Sequence, residues 1–222
     1  SKTMSGVAVN DAPVLDNSGT MTLVIITEDD VSNAGQSIAS IIASAGGDRI
    51  TDVDSAPLEG IAIHGTSGAL GRWEYSMDGS SWTNIGSVST SAALLLRAND
   101  LIRFVPDGAN GVTASFDFLA WDQSSGTAGT TADLSATGAG TAFSTSSGTA
   151  SISVNAVNDA PVLVVTSPGM SVAEDAGTPS GAVGVPVSDF TRGISDVDNG
   201  AAQGIAIIAS NEANGTWYYS TN

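Results

Sequence analysis

Short stretches in which apolar and polar residues alternate, rich in Val, Ile, Leu and aromatics, recur along the chain. They predict β-strands at 22–27, 59–64, 70–77, 93–97, 101–105, 113–121, 141–145 and 149–157. Turn-forming pairs punctuate them, among them Asp78-Gly79, Asp107-Gly108 and Asn110-Gly111. One segment has a different period: between Gln36 and Ala45, Ile38, Ile41, Ile42 and Ala45 fall at helical spacing, which predicts a short helix packed on the sheets. Residues 124–148 are Ser, Thr, Gly and Ala with little bulk, and the expectation is a flat polar hairpin extension anchored by Leu134 and Phe143. The pattern as a whole reads as all-β.

The chain also resembles itself at long period. Val9-Asn10-Asp11-Ala12-Pro13-Val14-Leu15 returns as Val157-Asn158-Asp159-Ala160-Pro161-Val162-Leu163, and Glu28-Asp29 as Glu174-Asp175. Asp52-Val53-Asp54 returns as Asp196-Val197-Asp198, Gly60-Ile61-Ala62-Ile63 as Gly204-Ile205-Ala206-Ile207, and Gly71-Arg72-Trp73 as Gly215-Thr216-Trp217. Five ordered matches define a tandem unit. The expected organisation is the end strand of a preceding repeat at 1–9, a complete β-sandwich repeat at 10–157, and the N-terminal part of a second repeat at 158–222. Pro13 and Pro161 hold the preceding residue extended, so consecutive units should be joined stiffly.

Composition narrows the function. Hydrophobic residues at 41% allow a real core, while 23 acidic against 6 basic residues give a net charge of −17. That surface repels phosphate backbones and anionic bilayers, so neither nucleic acid nor membrane insertion is expected. There is no Cys and a single His, His64, which argues against thiolate metal sites and nucleophilic triads, and the chain is read as not an enzyme. Lys2 is the only Lys, so a lysine cross-link cannot stiffen the complete unit. Trp73, Tyr75, Trp82, Trp121 and Trp217 are expected mainly in the core, with Trp73 and Trp217 facing the interior of their units.

So many uncompensated carboxylates ask for cations. Asp52 and Asp54 stand two apart, Asn10 and Asp11 sit at the joint between units, and Asp122 follows an apolar strand ending in Trp121. Hard oxygen donors grouped in this way suit Ca2+; the bland alternative is ordinary Asp and Asn turn chemistry. Asp29, Asp30 and Asp175 read as solvated carboxylates, and Asp78, Asp100 and Asp107 as turn residues.

Taken together, the Val-Asn-Asp-Ala-Pro junction, Thr51-Asp52-Val53-Asp54-Ser55, Thr27-Glu28-Asp29 and Ala120-Trp121-Asp122 resemble bacterial cadherin-like repeats of large surface or secreted repeat-in-toxin (RTX) adhesins. The resemblance implies a Greek-key, cadherin-like or Ig-like β-sandwich with Ca2+ at each inter-repeat joint. It implies Asn10, Asp11, Asp52, Asp54 and Asp122 as ligands at the head of the first unit, Asn158, Asp159, Asp196 and Asp198 at the head of the second, and Glu28 at the base of the first. The Asp-Arg-Glu segment of such modules has no counterpart here, which lowers the number of ions implied per joint. The implied function is a structural extender and cell-adhesion repeat of a fibrous, extracellular protein at the bacterial cell surface. Its partners would be neighbouring repeats, or other copies supplying missing strands. The alternative is a carbohydrate- or host-surface-binding module for surface glycans.

Overall fold

A computed structural model describes residues 9–164, 169–178, 180–181 and 184–221. The expected end strand of a preceding repeat, save Val9, lies outside the described residues. The chain divides between Val157 and Asn158 into two compact units.

The first unit runs β1 (Val14–Leu15), β2 (Met21–Thr22), β3 (Ile26–Thr27), β4 (Gln36–Ser37), α1 (Ile38–Ala43), β5 (Ile50–Thr51), β6 (Gly60–Ser67), β7 (Gly71–Ser76), β8 (Thr83–Asn84), β9 (Ala93–Arg97), β10 (Leu101–Pro106), β11 (Val112–Trp121), β12 (Thr131–Ala132) and β13 (Phe143–Asn155). It is an all-β sandwich. One sheet has the order β12-β9-β6-β11-β13-β2, with β3 also on β13, and the other β4-β10-β7-β8. The ladders are antiparallel except that β2 and β3 run parallel to β13. The predicted strand at 22–27 is therefore two short pieces, with Val24 and Ile25 exposed between them.

Alternation along each strand sends every second side chain inward. Ile61, Ile63, Leu94, Leu96, Phe116, Phe118, Ile152 and Val154 of the larger sheet meet Trp73, Ile102 and Phe104 of the smaller. The Trp73 ring stands edge-on to Phe104 and Phe116, centroids 5.2 Å apart in each pair, and its Nε1–H donates to the Ser67 carbonyl at 2.8 Å. Gly71 precedes this Trp because a Cβ there would lie 2.5 Å from Phe104 Cζ and from the Val105 carbonyl oxygen. Helix α1 is capped by Ser37, whose Oγ accepts the Ser40 N–H, and it buries Ile38, Ile41 and Ile42 as its spacing predicts.

The polar segment after β11 corrects one expectation. Residues 143–148 belong to the continuous strand β13, and 123–142 are not a hairpin extension. That loop folds back over the outer face of the larger sheet, where Leu134 and Ala142 cover Leu95, Leu119 and Trp121. Strands β6, β9 and β11 are thus buried on both faces where they lie beneath it. This is why Ala93–Leu96 and Phe118–Trp121 are continuous apolar runs rather than alternating ones.

One buried charge cluster ties the smaller sheet together. Glu74 on β7 accepts Arg103 Nη2 at 2.7 Å and Nε at 3.0 Å on one oxygen, and Arg72 Nε at 2.7 Å on the other. The Arg103 guanidinium also lies 4.0 Å over the Trp82 ring. Burial pushes the Glu74 carboxyl up, but the hydrogen bonds from Arg103 and Arg72 outweigh it and hold it below its ordinary value.

The second unit contains β14 (Val162–Leu163), α2 (Ser188–Thr191) and β15 (Ile194–Ser195). β14 pairs antiparallel with β15 as β1 does with β5, so the opening of the repeat is built twice. Residues 204–221, the copy of β6 and β7, form no strand, and here Trp217 departs from expectation. Its Nε1–H donates to the Asn211 carbonyl, as Trp73 does to Ser67 six residues upstream, yet Trp217 is 59% exposed against 4% for Trp73. The physical reason is the missing cover: among the described residues of this unit no second sheet faces the ring.

Two outcomes follow for the first unit. Trp73→Ala removes a ring packed between two phenylalanines and should destabilise the unit by about 3–5 kcal/mol in chemical denaturation; a loss below about 1 kcal/mol would place the ring outside the core. Glu74 has a depressed folded pKa, so its contribution is present above its ordinary value of 4.5 and is lost as pH falls through the folded value. The stability gap between the wild type and Glu74→Gln should be larger at about pH 7 than at about pH 3 in urea titrations.

Candidate metal centre

Pairing of β1 with β5, Val14 opposite Thr51, brings the residues before β1 beside those after β5. Asn10 and Asp11 therefore meet Asp52 and Asp54, and β11 delivers Asp122 to the same end. The Asp11 N–H donates to Asp54 Oδ2 at 3.0 Å, and the Asp54 N–H donates to Asp52 Oδ1 at 2.9 Å. The Asn10 amide donates to Asp122 Oδ2 at 2.9 Å, to the Thr141 carbonyl at 3.2 Å and to the Asp11 carbonyl at 3.0 Å. Asp122 Oδ1 accepts the Ser124 N–H at 2.7 Å. A cleft of about 380 Å³ lies among these groups, with Ala56 and Leu58 also on its wall.

Two features mark this end as more than turn chemistry. Asp52 Oδ2 is buried and has no hydrogen-bond partner. An acceptor-only oxygen held out of water costs free energy unless a cation or donor meets it. Backbone strain is also concentrated here. Among the described residues, the non-glycine residues with positive φ are Ala56 at 56°, Gln123 at 65° and Ala139 at 49°. The first two line the cleft, and the carbonyl of the third accepts the Ala12 N–H. Such conformations cost on the order of 1–3 kcal/mol each and persist where surrounding structure imposes them.

The second unit repeats three of these bonds. The Asn158 amide donates to the Asp159 carbonyl at 2.8 Å, the Asp159 N–H to Asp198 Oδ2 at 2.9 Å, and the Asp198 N–H to Asp196 Oδ1 at 3.0 Å. Here the buried oxygen without a partner is Asp159 Oδ2. In both copies the Asp pair is not extended: the first carboxylate closes a turn onto the N–H of the second.

Glu28 lies apart from the head of its own unit. It follows β3, which pairs with the last residues of β13, whereas Asp122 lies near the first, and β13 spans roughly 40 Å over its length. It is fully buried; Oε1 accepts the Val157 N–H at 2.8 Å, and Oε2 has no partner.

Three further acids sit where turn chemistry places them. Asp78 accepts the N–H groups of Ser80 and Ser81, Asp107 that of Ala109, and buried Asp100 that of Arg97 together with its guanidinium. His64 is half-buried, its Nε2 3.1 Å from Ser147 Oγ. Sequence reasoning missed the Thr141 and Ala139 carbonyls and the strained Ala56 and Gln123. A carbonyl carries no residue-type signal, and Ala and Gln are not residues that announce a left-handed turn.

In a chelator, the unused Glu28 oxygen is a net cost. Glu28→Gln should then melt at the same temperature as the wild type or higher, since a buried neutral amide is cheaper than a carboxylate lacking one partner. A marked fall in thermal melts would mean that the second oxygen is satisfied without a cation. Comparison with protein-family models, with curated proteins and with solved structures gives no match to this chain.

Proposed function

We propose that the chain is a non-catalytic structural repeat of an extracellular adhesion protein, stiffened where one unit ends and the next begins by Ca2+ bound to the acidic scaffold. The observation that carries the reading is the same three-bond arrangement in both units, each with one buried carboxylate oxygen left over, on Asp52 in the first and on Asp159 in the second. Turn formation alone would use those oxygens or expose them. Carboxylate and amide oxygens at one end of a sandwich are the donor set that Ca2+ prefers, and the ion would supply the counter-charge for −17. Chain continuity supports a joint: Val157, whose N–H is held by Glu28, is followed directly by Asn158, which opens the second scaffold.

A glycan-binding role draws less support, because Trp73 and Trp121 are buried with their indole N–H groups engaged and Trp82 is covered by Arg103. The exposed Ile205, Ile207, Trp217 and Tyr219 are where further strands, from a repeat or another copy, would add.

Thermal melts test the reading. An ion that binds the folded form alone raises its stability by about 2.7 kcal/mol at one hundred times Kd. The melting temperature should rise from chelator to millimolar Ca2+, and Asp52→Ala with Asp54→Ala should remove most of the rise for the first unit. Identical melts in chelator and Ca2+ would sink the proposal.

A further inference from the structure

We infer that the loop 123–142 is the positioning element of the first unit's head site, so that Leu134, which touches no ligand, sets how tightly that site holds a cation. The inference rests on the cation reading above.

The loop is fastened at its middle to the sheet edge, where its strand β12 pairs with β9 and the Leu134 side chain reaches the outer face, and at its end to the site. In the middle, the Gly129 N–H donates to the Leu95 carbonyl at 2.8 Å, the Leu95 N–H to the Thr130 carbonyl at 3.0 Å, and the Leu134 N–H to the Thr90 carbonyl at 2.7 Å. The Leu134 side chain is buried with Leu95, Leu119 and Trp121. The fit is close: a Cβ on Gly126 would stand 2.5 Å from Leu95 Cδ1. At its end, the Ala139 carbonyl accepts the Ala12 N–H at 2.7 Å, the Thr141 carbonyl accepts the Asn10 amide at 3.2 Å, and the Ala142 carbonyl accepts the Asp122 N–H at 3.1 Å. A Cβ on Gly140 would lie 3.0 Å from the Asn10 carbonyl oxygen.

The last four residues of the loop thus clamp both Asn10, at the joint, and Asp122, at the end of β11. Without them, Asn10 would be tethered to the unit only through its neighbours in the chain and Asp122 itself. The clamp holds its strained turn at Ala139 only while the rest of the loop is seated, and the seating is apolar. Removing Leu134 bulk opens a hole beneath the loop, frees the turn and lets the Asn10–Asp122 geometry vary. Loss of such supporting contacts around a metal site commonly weakens affinity by about 10–100-fold.

The test uses the full chain in two measurements. Calorimetric titration with CaCl2 compares the wild type, Asp52→Ala, Leu134→Ala and, should that variant not fold, Leu134→Val. Ile102→Val, a buried change in the other sheet, is the control. Amide hydrogen exchange in chelator then follows the Ala12 N–H. The expected result is a binding component abolished by Asp52→Ala, weakened about tenfold by the Leu134 change and unaltered by Ile102→Val. Ala12 should exchange faster in the Leu134 variant even without the ion. No component that Asp52→Ala removes would overturn the cation reading and this inference with it. An intact component of unchanged affinity in a folded Leu134 variant, or unchanged Ala12 exchange, would overturn the inference alone.

Discussion

Strand β11 is held by ladders on both sides, to β6 from Ser115 to Trp121 and to β13 from Val112 to Trp121, and the sandwich is organised around that double constraint. Ala114, Phe116, Phe118 and Ala120 turn inward to the smaller sheet, and Leu119 and Trp121 turn outward. One strand therefore fills two cores. Each large side chain buried fully in them contributes about 1.5–3 kcal/mol. The register shifts opposite β6 and β13 fall between Asp117 and Trp121, where the strand passes beneath the loop. Because β11 is fixed along its length, the residue that follows it, Asp122, arrives at the head of the unit in one place.

The head itself is less relaxed than the rest of the first unit. Its polar groups are nearly all paired, yet one carboxylate oxygen is not, and the left-handed non-glycine residues gather in the loops around it. A sandwich that needed only stability would place Gly at such positions, as the chain does at many of its other turns. The outer-face core holds the loop that carries Gln123 and Ala139, and its packing is remote from the carboxylates.

Comparison of the two units separates what is local from what is not. The Asn-Asp and Asp-Val-Asp scaffold forms in the second unit on no more than a two-stranded pairing. The hydrogen bond from the Trp indole to a carbonyl six residues back forms there too. Burial does not: Ile207 is 76% exposed, whereas Ile63, its counterpart, is 0% exposed between β9 and β11. Short-range hydrogen bonds need only the local chain, and the apolar faces need partners from far along it.

That division also marks how far the residues could be read unaided. Alternation and local enrichment in apolar residues placed β6, β7, β9, β10 and β11 within a few residues, and helical spacing placed α1, because each signal is carried by neighbours in the chain. The internal repeat identified Asn10, Asp11, Asp52 and Asp54 as a recurring group, since side chains needed for one arrangement recur wherever it is built. Leu134 could be read as an anchor, but which face of β11 its loop would cover had no such signal, because the contacts join residues 95, 119, 121 and 134 across two strands and a loop. The bond from Asn10 to Asp122 spans more than one hundred residues, and the carbonyls that hold it come from backbone that any sequence possesses. Residue chemistry along the chain determined the elements and the acidic groups; only the closure of the sandwich decided which of them stand together, because closure alone brings distant backbone and side chains within hydrogen-bonding range.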